Sequence, residues 1–71
     1  MRELDLHGTR HKEAERKLTR FIKETKSIRP ALIITGNSIR MKKIAIDVIE
    51  RYGLKYKHKD YYNLGSYIIY D

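Results

Sequence analysis

The chain has 71 residues, of which 41% are hydrophobic, and this composition suits one small globular domain over residues 1–71. It contains no cysteine, which excludes disulfides and thiolate metal sites and fits a reducing compartment. A formal net charge of +7 is large for so small a surface and favours an anionic partner, above all nucleic acid. No apolar run approaches the roughly 18 residues of a membrane span. The N-terminus also lacks the apolar stretch of a signal peptide, so we expect a cytoplasmic protein without a membrane partner.

The first half of the chain predicts a strand, a helix and a second strand. Residues 2–6 form the first strand, and Thr9 opens a helix that runs to about Lys26. One apolar stripe follows the 3.6-residue period of this helix: Ala14, Leu18, Phe21, Ile22 and Thr25. Pro30 marks the start of the next strand, because the residue before a proline favours extended geometry. The run 31–35 is apolar on both sides, as in the interior of a sheet.

The second half predicts one more helix and two strands. Asn37 or Ser38 caps a helix that runs to about Tyr52. Its apolar stripe is the clearest in the chain: Met41, Ile44, Ala45, Val48, Ile49 and Tyr52. After a glycine, residues 54–60 alternate lysine with other side chains, as in an edge strand that charge protects from pairing. Residues 66–70 are mostly apolar and form a final, more central strand.

This order of elements predicts an α/β fold of βαβαββ type, a two-layer sandwich in which two helices cover one face of a four-stranded mixed sheet. Strands separated by helices pair in parallel through right-handed crossovers, and the last two strands form a hairpin. The lysine-rich third strand belongs at the edge and the apolar fourth strand inside. The predicted spatial order is therefore 1-2-4-3, with strand 4 antiparallel to the others and Lys55, Lys57 and Lys59 on the open face.

The end of the first strand carries the residues best suited to chemistry, in the segment Leu4-Asp5-Leu6-His7-Gly8. Asp5 and His7 are two residues apart, so both point to the same face of an extended strand. Imidazole titrates near neutral pH, which makes His7 the candidate for proton transfer. Asp5 is the candidate to hold the imidazole in one tautomer or to ligate a divalent ion. The alternative is a structural pair in which His7 only hydrogen-bonds the turn.

A second set of candidates follows the second strand: Thr35, Gly36, Asn37 and Ser38. Both strand ends open helices, so both present free backbone N–H groups and the positive end of a helix dipole. Four basic residues rim this edge of the sheet: Arg10, Lys12, Arg40 and Lys42. Because Gly8 and Gly36 let a ligand approach the backbone closely, we expect the two loops to cradle a phosphate.

Other histidines and aromatic residues are weaker candidates. His11 reaches the same rim, and a His7–His11 pair has zinc-like spacing. No third ligand follows, so no metal site held by the protein is predicted. Tyr61 and Tyr62, in a predicted turn, are candidates to stack on unpaired bases, whereas Tyr52 and Tyr70 are predicted to pack in the core.

Three segments together resemble the Smr (small MutS-related) domain family. Leu4-Asp5-Leu6-His7-Gly8, followed by Glu13-Ala14, is similar to the opening signature of that family. Thr35-Gly36-Asn37-Ser38 resembles its second signature, Thr-Gly-x-Gly, with Ser38 in place of the second glycine. The segment 63–69 resembles its glycine-led last strand. A serine at position 38 either blocks close approach to a phosphate or supplies a hydroxyl in its place.

The resemblance implies a two-layer α/β sandwich like the C-terminal domain of a bacterial translation initiation factor. It also implies nucleic-acid binding and, in many members, endonuclease activity that nicks DNA or cleaves RNA, including messenger RNA on stalled ribosomes. Asp5 and His7 match the acid and the histidine tied to cleavage, and Thr35 and Gly36 match the second loop. For DNA, we expect a divalent cation such as Mg²⁺ to assist attack by water. The alternatives are a non-catalytic module for structured, branched or ribosomal nucleic acid, and a protein-interaction domain.

Overall fold

The computed structural model describes residues 1–60 and 64–71. Its elements are β1 (Glu3–Asp5), α1 (His11–Glu24), β2 (Ala31–Ile34), α2 (Ile39–Arg51), β3 (Lys55–His58) and β4 (Ser66–Tyr70). The predicted order of elements is confirmed. Helix α1 is two residues shorter at each end than predicted. Arg10 is still extended, with ψ 138°, and the hydroxyl of Thr25 donates to the carbonyl of Phe21 at 2.9 Å beyond the last turn.

The sheet has the predicted spatial order β1-β2-β4-β3. Strands β1 and β2 pair in parallel, and β4 pairs antiparallel with both β2 and β3. The lysine-rich β3 lies at an edge, where unpaired backbone groups meet solvent and charge discourages further pairing. Because β1 and β2 are parallel neighbours, their C-terminal ends and the helices that follow them meet at the same edge of the sheet.

Both helices pack on one face of this sheet and form the core with it. Leu6, Ile33 and Ile69 face the helices and are fully buried. The core residues on the helices are Ala14, Leu18, Phe21, Ile22, Met41, Ala45, Val48 and Ile49. Burying one such large side chain contributes about 1.5–3 kcal/mol. Tyr52 is the exception to the predicted stripe: helix α2 ends at Arg51, and Tyr52, just beyond, is 42% exposed.

Within residues 1–60 and 64–71, no helix covers the opposite face of the sheet. Tyr56 packs towards the core, so its neighbours Lys55 and Lys57 project to this open face, as predicted. The Lys57 ammonium lies 5.6 Å from the ring centroid of half-buried Tyr70. Lys59 follows the end of β3 and is exposed.

Two further expectations concern the membrane and base stacking. In the part of the chain that the structure describes, neither helix has the length and apolar character needed to cross a membrane. Tyr61 and Tyr62, the predicted stacking candidates, lie outside the described residues.

Candidate nucleic-acid interface

The ends of β1 and β2 bring the two predicted loops side by side. The chain continues the parallel ladder past β1, because the Leu6 N–H donates to the Ile34 carbonyl at 2.7 Å. His7 and Gly8 then turn towards α1, while Thr35 and Gly36 turn towards α2. The exposed His7 side chain therefore sits beside the second loop, at the edge where both helices begin.

The His7 imidazole lies directly against Gly36. A Cβ placed on Gly36 would stand 3.0 Å from the His7 Cδ2 atom, which is tighter than ordinary van der Waals contact. Gly36 also has a φ of +70°, in the left-handed region that L side chains rarely adopt. Glycine at this position thus allows both the turn and the close approach of the imidazole. We call the place where the His7 ring lies against Gly36 the His7 seat.

A third segment braces this seat from behind. The Gly65 carbonyl accepts hydrogen bonds from the Thr35 N–H at 2.7 Å and the Gly36 N–H at 3.1 Å. A Cβ on Gly65 would come within 2.9 Å of the Gly36 carbonyl oxygen, so the two backbones touch. The Thr35 side chain is only 2% exposed, and its hydroxyl donates to the carbonyls of Gly36 and Gly65. Thr35 therefore holds the loop together, and its predicted part in nucleic-acid binding stays a prediction.

The Asp5 carboxylate shapes the turn that carries His7. Its Oδ1 accepts a hydrogen bond from the His7 backbone N–H at 2.8 Å. The structure shows no hydrogen bond between the Asp5 carboxylate and the His7 imidazole, because the turn directs Oδ1 to the backbone N–H of His7. The predicted catalytic role of Asp5 stays a prediction. Asp5 fixes the position of the imidazole indirectly, through the main chain.

The donor set does not build a resident metal site. Across residues 1–60 and 64–71, no group of three or more His, Asp and Glu side chains is placed to hold a metal ion. A Mg²⁺ ion at Asp5 would take most of its ligands from water and substrate phosphates. His11 is half-buried in the first turn of α1 and makes no hydrogen bond or ring contact with His7.

The two helix N-termini supply backbone donors to this edge. The Ser38 hydroxyl accepts a hydrogen bond from the Met41 N–H at 3.1 Å and so caps α2. Ser38 has a φ of −68°, which any residue adopts, so serine in place of glycine does not distort the loop. The N–H group of Gly36 is already bonded to Gly65, whereas those of Gly8 and Asn37 have no partner among the described residues. Free N–H groups at helix N-termini bind anions.

No described residue neutralises the basic rim. Arg10, Lys12 and Arg40 are exposed, and Lys42 is half-buried. None of the four forms an ion pair with any residue that the structure describes. The ion pairs of the described residues lie elsewhere: Arg2–Glu24, Arg20–Glu24, Arg29–Asp71, Arg51–Glu15 and Arg51–Asp47. The charge of these four cations near the starts of α1 and α2 is therefore available to an anion.

A family model described as Smr domain matches residues 4–63 of the chain. The chain belongs to the Smr domain family. This is a nucleic-acid-binding, nuclease-like family, in agreement with the basic rim and the helix N-termini. Comparisons with curated proteins and with solved structures found no match.

In this Smr domain the three segments that resemble the family signatures meet at one place. The first contributes the imidazole, the second contributes its glycine seat, and the third contributes the backbone that braces the seat. The role of Gly65 was missed from the residues alone. The sequence signal for it was the glycine that precedes the last strand. Its contact is with Gly36, 29 positions earlier in the chain, and a pattern of neighbouring residues does not reveal such a contact.

Proposed function

We propose that this Smr domain is an endonuclease that cuts a phosphodiester bond at the seat of His7. One observation supports this most strongly: an exposed imidazole lies against Gly36, in the loop that opens α2, at the edge of the sheet where basic residues stand at the starts of both helices. The imidazole can move a proton, and the surrounding donors suit a phosphate. Nucleic acid offers both: its backbone phosphates suit the donors, and its phosphodiester bonds can be broken with the help of proton transfer by the imidazole.

RNA is the substrate for which the residues of this chain suffice. His7 accepts the proton of the 2′-hydroxyl as the 2′-oxygen bonds to phosphorus, and the bond between phosphorus and the 5′-oxygen breaks. The departing oxygen takes a proton from water, and His7 returns its proton to solvent. The products are a 2′,3′-cyclic phosphate and a 5′-hydroxyl end.

The charge that develops on phosphorus is stabilised by the loops. The N–H groups of Gly8 and Asn37, which have no partner among the described residues, belong to loops that open helices. Preorganised donors of this kind lower the barrier of a reaction that builds negative charge. Arg10 and Arg40 on the rim add positive charge close by. Asp5 acts as a positioning residue, because its contact is with the His7 backbone and not with the reacting atoms.

A non-catalytic binding module is the second candidate, and the Asp5–His7 hydrogen bond favours it. That contact braces the turn whether or not any bond is cut. The same cradle would then recognise structured, branched or ribosomal nucleic acid through its phosphates. Nucleic-acid binding by an endonuclease or by a non-catalytic module should weaken steeply as the salt concentration rises, whereas a protein-interaction domain would show no such dependence.

A cleavage panel tests the proposal. Wild-type protein and the His7→Ala variant are incubated with labelled single-stranded RNA, hairpin RNA and supercoiled DNA, each with Mg²⁺ and with EDTA. We expect wild type alone to cut RNA in both buffers and to leave 5′-hydroxyl ends. Cutting of DNA only with Mg²⁺ would shift the reaction to hydrolysis by water. No cutting in any lane, with gel shifts preserved, would favour the binding module.

A further inference from the structure

An open groove runs along α1, and neither His7 nor Gly36 lines it. It has a volume of about 780 Å³ and lies between α1 and the end of α2. Its α1 wall includes Lys12, Arg16, Arg20 and Lys23, which share one side of the helix at spacings of three and four. At 1.5 Å per residue this basic row is about 16 Å long. It begins at Lys12, which also belongs to the rim of the candidate site.

Ion pairs within the groove neutralise its acids and leave a surplus of positive charge. Glu24 accepts from Arg20 at 2.8 Å, and Glu15 accepts from Arg51 at 2.8 Å. Hydrogen bonds from Arg51 to Asp47 and to Glu15 raise the pKa of Arg51, and this one cation is thereby shared by two acids. Lys12, Arg16 and Lys23 have no ion pair with any of residues 1–60 and 64–71. The groove therefore presents three cations whose charge is available to a ligand.

An aromatic ring stands at the end of the groove. Tyr52 lines it and is 42% exposed, in contrast to the buried apolar residues that precede it on α2. An exposed ring at the end of a basic row suits an unpaired base, which stacks on the ring while its phosphates meet the cations. Duplex nucleic acid keeps its bases stacked inside and would leave the ring unused.

We infer that this groove, defined by Lys12, Arg16, Lys23 and Tyr52, holds a single-stranded segment of the nucleic acid that is bound at the His7 seat. The inference rests on the proposed function and adds a substrate class to it. The groove would guide the strand away from the seat, with phosphates on the α1 row and a base on Tyr52.

Binding by groove variants tests the inference. The probes are a fluorescent 2′-O-methyl oligouridylate of 20 nucleotides, which lacks the attacking hydroxyl, and its four-nucleotide counterpart. Dissociation constants are measured by anisotropy across a salt series in EDTA. The test variant is Arg16→Ala/Lys23→Ala. The control, Lys17→Ala/Lys43→Ala, removes the same charge from exposed positions outside the groove.

We expect the test variant to bind the 20-mer about tenfold more weakly, with its salt slope reduced by about 1.4, since each lost contact with single strands contributes about 0.7. The preference for the 20-mer over the tetramer should fall accordingly. Tyr52→Leu should also weaken the 20-mer about tenfold while leaving the salt slope unchanged, because stacking carries no charge.

Three outcomes would overturn the inference. Equal weakening by the control variant would show that net charge alone attracts the strand. Unchanged 20-mer binding by both the double variant and Tyr52→Leu would remove the groove from the footprint and leave the proposed function intact. Failure of the wild type to bind either probe would instead reject the proposed function, and the groove with it.

Discussion

At the scale of single residues, Gly36 has two reasons to be glycine. Its φ is +70°, and an added Cβ would meet the His7 ring at 3.0 Å. We predict that Gly36→Ala lowers the free energy of unfolding by about 1–2 kcal/mol through backbone strain. It should also push the imidazole from its seat and reduce cleavage well beyond what the folded fraction explains. Urea denaturation and single-turnover cleavage measure the two effects separately.

Gly53 provides the matched control for this prediction. It has the same φ of +70°, but nothing lies within 4 Å of an added Cβ. Gly53→Ala should therefore show a similar loss of stability while cleaving normally per folded molecule. If the two variants lost cleavage to the same extent, the contact between Gly36 and the imidazole would have no catalytic meaning.

Asp5 makes a second residue-scale prediction. Its Oδ1 accepts from the His7 N–H, and an asparagine at this position keeps an oxygen able to do the same. Asp5→Asn should retain cleavage within roughly threefold, whereas Asp5→Ala should lose about 1 kcal/mol of stability and most of its activity. Single-turnover rates of both variants check this. An Asp5→Asn variant as inactive as Asp5→Ala would show that the negative charge itself is required.

The residues of the candidate site were predicted better than their contacts. Alternation along a strand places Asp5 and His7 on the same side, and the resemblance to the Smr signatures singles out the second loop. Periodicity predicts the face of the strand on which a side chain lies, but not the group to which it hydrogen-bonds. It therefore could not show that the Asp5 carboxylate accepts from the backbone N–H of His7. It also could not show that Thr35 is buried, because that follows from the close approach of Gly65 across the sheet.

At the scale of elements, the start of α2 depends on Ser38. Its hydroxyl caps the helix through the Met41 N–H. Ser38→Ala should lower stability by about 1 kcal/mol, or about 4–8 °C in melting temperature for a domain of this size. Ser38→Gly restores the glycine of the family signature and should cost only a few tenths of a kcal/mol. Thermal unfolding followed by circular dichroism measures both.

Cleavage by the same two variants tests whether Ser38 affects the site. Since the hydroxyl is already directed at the helix, we expect both variants to cut at the wild-type rate per folded molecule. A many-fold gain in Ser38→Gly would contradict this, and would mean that the serine side chain obstructs a phosphate.

Element types and sheet order followed from the sequence, but the ends of elements did so less well. The lysines of β3 require an edge and the apolar β4 requires the interior, which leaves one order for the four strands. Helix ends depend on local contacts that periodicity does not report. The apolar stripe of α2 includes Tyr52, yet the helix stops one residue earlier and exposes the ring.

At the scale of the whole molecule, burial of a tyrosine links stability to alkaline pH. Burial raises the pKa of Tyr67, and nearby Tyr56 adds to the shift. A tyrosine in the unfolded chain ionises near pH 10, while folded Tyr67 stays neutral to higher pH. The contribution of neutral, buried Tyr67 to the free energy of unfolding is therefore fully present below about pH 10 and is lost as the pH rises further. We predict that Tyr67→Phe flattens this loss, as measured by urea unfolding between pH 8 and 11. An equally steep loss in the variant would contradict the prediction.

The distribution of charge ties the fold to its proposed role. Ion pairs hold Glu15 and Glu24 of α1 and Asp47 of α2, while the four rim cations have no ion pair within the described part of the chain. Part of the excess charge that the composition shows therefore lies where two helix N-termini already favour an anion.

The most direct test of the account is a paired measurement on His7→Ala. Its single-turnover cleavage rate and its dissociation constant are compared with those of wild type and of His58→Ala, which removes an exposed histidine on β3. We predict that His7→Ala loses at least about 100-fold in rate while binding within roughly threefold of wild type, and that His58→Ala keeps cutting. If His7→Ala cut normally per folded molecule and lost only thermal stability, His7 would brace the turn and the proposed chemistry would be wrong.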